Sequence, residues 1–452
     1  MNAFSSHRKM RSRSLAGQVI ALVMAAMLSA TACGSSDGVG DSGDADPGDE
    51  GEGDLTGGEM ILRDFSLPLP LFSEASAWNQ SGAEAAVLPD SDDQILATYR
   101  QLIGDSSRLV PGDEELSWPF MVVNYDAFSY PIFLAGDGID DVSIRDYDGQ
   151  SWFPSPTFPA AEQEGGPVAI PPPAGRIRPA GPTGLDSDGH VVLYDPAANR
   201  EYDFWQATTA EGGSGESLGG GRPGATIIAA GAIEMFDLTG AGANPPGLSS
   251  ARAMGTPLLG GLLVPEDLER GAIAHALAFA LPGPRNLSDD PFEPLNSDWS
   301  LPASTTETDY YSTDPDALAA GQRIRLRSGI VDDQGELIDE NDLAPVTRLF
   351  LEALREHGAI LVDASAGFTF YAEDIHTANL TLSDADVNEL TGKPPDAPLD
   401  TEKTKWQIVM EALGRDLDRI PLASGSWPDN ADPSTATVGT SNFDVIESTI
   451  EP

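Results

Sequence analysis

The hairpin-like stretch His190-Val-Val-Leu-Tyr194-Asp195-Pro-Ala-Ala-Asn199-Arg200-Glu201-Tyr-Asp203-Phe-Trp205 concentrates the residue types that could do chemistry. Its register decides whether they meet. Asp195 opposite Arg200 pairs opposite charges across the strands, whereas Asp195 opposite Glu201 would set like charges together, so the first register is expected. It puts His190, Val192, Tyr194, Glu201, Asp203 and Trp205 on one face and Val191, Leu193, Tyr202 and Phe204 on the other, which reads as core. A face of acids and aromatics suits a sugar: rings cover the apolar side of a pyranose, and carboxylates accept hydroxyl protons or act as acid and base. Strand rise separates the Cβ atoms of Glu201 and Asp203 by ~7 Å. Side-chain tilt could bring the carboxyls to the ~5–5.5 Å of a retaining glycosidase or leave them at inverting distance. The plainer alternative is the solvated face of an acidic protein.

Other candidates are fewer. Pro265-Glu-Asp-Leu-Glu-Arg270-Gly271 reads as a short helix that feeds a strand over Ala272–Leu281, with Ile273, His275, Leu277 and Phe279 facing one way and four alanines the other. His275 is then either a hydrogen-bonded core residue or, with Tyr194, an acid–base pair. His190, His275, His357 and His376 bound any imidazole mechanism after the first 32 residues. Gly215-Glu-Ser217-Leu-Gly219 has the spacing of a nucleophile elbow, but glycines flank it where a strand and a helix are required. Acidic clusters at Asp137, Asp140, Asp141, Asp146 and Asp148, and at Asp186 and Asp188, offer oxygen ligands of the kind calcium prefers, yet match no calcium loop, so calcium is possible and no cofactor is expected. No P-loop, H-E-x-x-H or cysteine–zinc spacing is present in the sequence.

Helical patterns are few: Asp92–Ile103, Asp342–His357 and Thr401–Leu413. Between them the chain reads as short strands cut by Gly and Pro, the clearest being 121–124, 131–134, 190–194, 201–206, 226–236, 272–281, 323–327 and 359–363. The fold class expected is mainly β, an antiparallel sandwich or jelly-roll-like body with a few packed helices, because no regular alternation of strand and helix announces a parallel sheet.

Arg8, Lys9, Arg11 and Arg13 precede the apolar run Val19–Leu28, which is followed by Ser29-Ala30-Thr31-Ala32-Cys33. This is the grammar of a signal peptide over residues 1–32; about ten apolar residues are half of the ~20 that span a bilayer. The small residues before the chain's only cysteine resemble the lipobox of bacterial lipoproteins, although Ala30 stands where Leu is commoner. The resemblance implies that Cys33 is acylated and anchors the protein to a membrane, and Gly34 after it implies the outer membrane or cell surface. A plain signal peptide leaving a free thiol is the alternative. Residues 33–59 hold nine Gly and nine acidic residues with no basic one, a tether that cannot bury a core.

With 25 Lys and Arg against 72 Asp and Glu, the formal charge is -47; losing the four basic residues of 1–32 takes it to -51. Such a chain repels phosphate backbones and anionic headgroups, so no nucleic-acid partner is expected. Residues 60–423 read as the globular body and 424–452, rich in Ser, Thr, Asp and Pro, as a loosely ordered tail.

Ser76-Ala-Trp78-Asn79-Gln80, Asp186-Ser-Asp-Gly-His190, Tyr194-Asp195-Pro196, Phe204-Trp205, Gly271-Ala-Ile-Ala-His275-Ala-Leu and the unit Ala353–Asp363 are together similar to a group of secreted proteins of high-GC bacteria, over about residues 72–370. That resemblance implies export and carries no activity with it; this chain has Asp203 where the group carries Glu. Two functions follow as expectations: an anchored polysaccharide hydrolase or lyase, with Glu201, Asp203, His275 and Tyr194 as catalytic groups and His190 and Trp205 holding substrate, or a non-catalytic envelope lipoprotein that binds glycan or a protein partner.

Overall fold

Alternation along Leu277–Leu281 sets the architecture: Leu277, Phe279 and Leu281 enter one core, while Ala278 and Ala280 enter another, so both faces of this strand are buried. The computed structural model describes residues 60–103, 109–110, 118–144, 167–180, 188–210, 224–291, 294–308, 310–426 and 437–448. Strands outnumber helices within them, as the Gly- and Pro-punctuated sequence predicts.

Leu277–Leu281 lies inside a six-stranded sheet ordered Phe443–Ile446, Arg323–Leu326, Ala359–Ala364, Leu277–Leu281, Gly367–Tyr371, Trp118–Asn124. One face is covered by helices α1 (Ser91–Leu102), α3 (Pro345–Glu356) and α5 (Lys405–Leu417), whose Leu102, Phe350 and Trp406 join Phe279, Phe368 and Phe370 in the largest core. Between α1 and α3 in the chain lies the short α2 (Pro265–Arg270), and α4 (Asp384–Leu390) lies between α3 and α5; α4 carries a Ser383–Asp386 capping box that the sequence reading passed over.

The second face of that sheet shares a core with a four-stranded sheet ordered Ala232–Asp237, Arg200–Trp205, Val191–Asp195, Ile132–Leu134: Ile132, Val192 and Tyr194 gather with Ala278, Ala280, Ile360 and Val362. The far face of the four-stranded sheet, through Val191, Leu193, Tyr202 and Phe204, meets a third sheet ordered Pro167–Ile170, Asp140–Ile144, Ile227–Ala230, Thr208–Thr209.

The purely antiparallel pairing expected from sequence does not hold. Leu277–Leu281 runs parallel to Ala359–Ala364, Gly367–Tyr371 to Trp118–Asn124, Ile132–Leu134 to Val191–Asp195, and Asp140–Ile144 to Ile227–Ala230. Parallel neighbours need long crossovers. The one from Leu281 to Ala359 is mostly irregular before α3, so it leaves no strand–helix alternation to read. The single strand expected over 226–236 is two, because Gly231 breaks it: a Cβ there would sit 2.7 Å from the Trp205 ring. The expected strand over Ala272–Leu281 begins only at Leu277. Part of the tail expected to be loose is core: Phe443 and Val445 are fully buried, and their strand forms the edge of the six-stranded sheet.

Candidate functional site

The hairpin adopts the expected register. Asp195 Oδ1 accepts the N–H groups of Ala197 and Ala198 at 2.9 and 3.0 Å, Asn199 turns the chain at φ 55°, and Asp195 then faces Arg200, with Tyr194 opposite Glu201 and Val192 opposite Asp203. On the other flank Asp203 pairs with Glu234. Three carboxylates therefore line one face, and Glu201, Asp203 and Glu234 are all 0% exposed. Neither the open sugar-binding face nor the solvated acidic face describes this arrangement.

The cover is the loop Ser250–Gly261, folded around Arg252. That guanidinium, also fully buried, donates to the carbonyls of Pro257 (2.6 Å), Gly260 (2.8 Å) and Leu258 (3.1 Å) and to the Tyr130 hydroxyl (3.2 Å), and lies over the rings of Tyr130 and Tyr371. The loop's amides point the other way: Leu258 N–H donates to Asp203 Oδ2 at 2.8 Å and Leu259 N–H to Glu201 Oε2 at 3.2 Å. One charged side chain thus satisfies the carbonyls of a buried loop, and two acids satisfy its amides. Gly260 and Gly261 let it close: a Cβ on Gly260 would meet the Trp78 indole at 2.7 Å, and Gly261, at φ +72°, lies against the backbone of Ala278.

Protonation follows from burial. Asp203 is pushed up to about 8, by burial first, with the Leu258 N–H and Arg252 opposing and Glu234 reinforcing. Burial and then the neighbouring Asp203 raise Glu201 well above the carboxylate range. Glu201 Oε1 and Asp203 Oδ1 are buried without a hydrogen-bond acceptor or donor opposite them, which a carboxylic acid tolerates far better than a carboxylate. These two groups hold protons and hold the loop.

The remaining predicted residues scatter around this seal. His190 is buried, its Nε2 3.4 Å from the Ala251 carbonyl and its ring edge-on to Tyr130 at 4.9 Å; burial lowers its pKa, so it is neutral. Tyr194 is buried in the shared core, 6.0 Å from the Phe65 ring, and burial raises its phenol. Trp205 is half-buried against the same core. His275 stands apart, beside Trp78, Leu259 and Gly261. Its Nε2 lies 3.2 Å from Asp267 Oδ2 and its Nδ1 3.0 Å from the Ala276 carbonyl. Burial lowers its pKa, but Asp267 outweighs that and the net shift is upward. With an acceptor against each nitrogen, the ring is an imidazolium with no lone pair for a base to use. No hydrogen bond joins it to Tyr194 among the described residues.

Two groups escaped sequence reading. Ser129 Oγ donates to Asp374 Oδ2 (2.7 Å), and His376 Nδ1 meets Asp374 Oδ1 (2.6 Å); all three are buried. Serine and histidine both converge on the acid, so no nucleophile–base contact exists. At the second, Asp363, half-buried at the end of its strand, is raised well above its usual range by burial and then by the charges of Glu307 and Asp188, both half-buried. These residues lie on separate segments, 188, 307 and 363, with no shared motif that spacing could reveal.

Cys33, Ser217, Asp146, Asp148 and Asp186 lie outside the described residues. Among the described residues, no three His, Cys, Asp or Glu side chains are grouped to hold a metal, and no helix is long and apolar enough to cross a membrane. No family model, curated protein or solved structure matches the chain.

Proposed function

We propose that this is an exported lipoprotein, anchored to the outer membrane or cell surface through Cys33, whose β-rich body binds polysaccharide without cleaving it at Glu201 and Asp203. One observation carries the non-catalytic reading: both acids are sealed from solvent and occupied by the amides of Leu258 and Leu259. A substrate reaching them would have to displace the Arg252 loop and leave its backbone unsatisfied. The two sheets that share the second core are read as the sandwich-like pair that stiffens the body.

The test has two parts. Palmitate labelling of cells producing the full chain should mark the protein, and Cys33→Ser should abolish both label and membrane fractionation. The purified protein should be retained by affinity electrophoresis in a polysaccharide gel while releasing no reducing ends and no unsaturated uronate. Turnover that disappears in Asp203→Asn would sink this reading.

A hydrolase built on different acids is the second reading, and one observation favours it: burial and then the charges of Glu307 and Asp188 raise Asp363 well above its usual range, the direction a general acid needs, and all three are half-buried rather than sealed. Turnover lost in Asp363→Asn but kept in Asp203→Asn would favour it over binding alone.

A further inference from the structure

Arg323 is an anomaly of charge. In a chain with nearly three acidic residues for each basic one, this arginine is only 4% exposed and has no carboxylate partner among the described residues. Its Nη1 donates to the Gln80 carbonyl at 3.0 Å and its Nη2 to the Ala77 carbonyl, which engages two of its five N–H groups. Burial alone acts on its pKa, lowering it to about 10. Arg63, equally buried, holds two glutamates.

Arg323 lines a cleft of about 220 Å³ at the edge of the six-stranded sheet, together with Arg285, Trp299, Gln322, Ser297 and Glu447. Arg285 donates to the Ser297, Pro315 and Ala317 carbonyls and is ion-paired with the buried Asp298, whose Oδ1 lies 3.6 Å from its Nε. The cleft is smaller than the ~300–1,000 Å³ that encloses a drug-sized ligand, which leaves room for a single sugar ring. It combines a half-buried indole, the guanidinium of Arg323 without a carboxylate partner among the described residues, that of Arg285 shared with Asp298, a neutral amide and a hydroxyl.

We propose that this cleft binds a carboxylate-bearing sugar residue, its acid directed to Arg323 and Arg285 and one ring face on Trp299. The anion supplies the counter-charge that the fold withholds from Arg323, and Glu447 on the rim accepts a sugar hydroxyl. The inference rests on the polysaccharide-binding reading above and narrows it to uronate-containing chains.

Titration calorimetry of the full-length protein in detergent, with trimers of galacturonate and of mannuronate and with their methyl esters, tests it. At least one acid trimer should bind. Its ester should bind at least tenfold more weakly, as should the acid to Trp299→Ala, and raising salt from 0.05 to 0.5 M should weaken binding several-fold. Gln322→Ala, at a half-buried position outside the Arg323 clamp on Ala77 and Gln80, gives a second reading if Arg323→Gln fails to fold; it should weaken binding as well. Ester bound as tightly as acid would overturn the anionic class. Undiminished binding by both Trp299→Ala and Gln322→Ala would overturn the cleft, leaving polysaccharide binding in place. No trimer bound, with retention in a neutral polysaccharide gel, would overturn this inference alone; no retention on any polysaccharide would overturn the broader reading too.

Discussion

Around Arg63, the carboxylates of Glu266 and Glu373 each receive two N–H groups from one guanidinium, at 2.6 to 2.8 Å; on the hairpin, Glu201 and Asp203 receive one backbone N–H each. All four acids are buried, and the difference in donors sets how far burial is opposed. Burial pushes Glu266 upward, yet Arg63 outweighs it and the net shift is downward; Glu373, deeper, remains raised by burial. Glu201 and Asp203 have Arg252 nearby, but its N–H groups are turned to loop carbonyls, so both acids rise. Direct contact with a guanidinium outweighs burial at Glu266 and offsets it in part at the deeper Glu373, whereas a single amide leaves burial to dominate at Glu201 and Asp203. The first arrangement ties the segment at Arg63 to α2 and to Glu373 beyond the six-stranded sheet. The second clamps a loop over a sheet.

Removing the cation should have the largest effect. Arg63→Ala strands two buried glutamates and should destabilise the fold by ~3–5 kcal/mol in urea unfolding. A loss below ~1 kcal/mol would show that the ion network is not what holds residues 60–80 in place. On the hairpin, Asp203→Ala leaves the Leu258 amide unsatisfied and should cost about 1–3 kcal/mol, while Asp203→Asn keeps an acceptor for it and should cost less. Equal losses in the two variants would mean that Asp203 is ionised, and the contrast with the Arg63 network would collapse.

How much of this could be read from the residues alone differs by level. The hairpin register was legible because Asp195 and Arg200 admit one favourable pairing, and the two faces followed from it. What covers the acidic face was not legible: Arg252, Leu258 and Leu259 lie some 50 residues away, and nothing local to Glu201 or Asp203 distinguishes a face bound for solvent from one bound for a loop. Helices α1, α3 and α5 showed through their apolar spacing, and α3 ends at Gly358 as the sequence suggests. Parallel pairing was hidden by irregular crossovers. The Ser129–Asp374–His376 group and the acids around Asp363 are assembled by topology from distant segments, and Arg323 looked like any strand arginine until its lack of an acid could be seen.

The two regions should also fail at opposite ends of the pH scale. Glu266 has a folded pKa below its ordinary 4.5, so its contribution is present above that value and is lost as pH falls. Asp203 has a folded pKa of about 8 against an ordinary 3.8, so its contribution is complete below 3.8 and is lost as pH rises through 8. Urea midpoints of the parent and of Asp203→Asn between pH 2 and 9 separate them: the alkaline decline should flatten in the variant, and the acid decline should not. An unchanged alkaline limb would assign it elsewhere.

The smallest effect expected is at His275, which lies between these regimes. It is a cation held by one acid, Asp267, that already caps α2 by accepting the Val264 N–H at 3.1 Å. The raised pKa means that its contribution is full below its ordinary 6.5 and fades as pH rises through the folded value. His275→Gln keeps a donor for Asp267 but removes the charge, and should cost about 1 kcal/mol at pH 5.5 and less at pH 9. The reverse trend would mean that the ring is neutral in the folded protein, which would restore a lone pair at His275 and with it the acid–base role that its two acceptors now exclude.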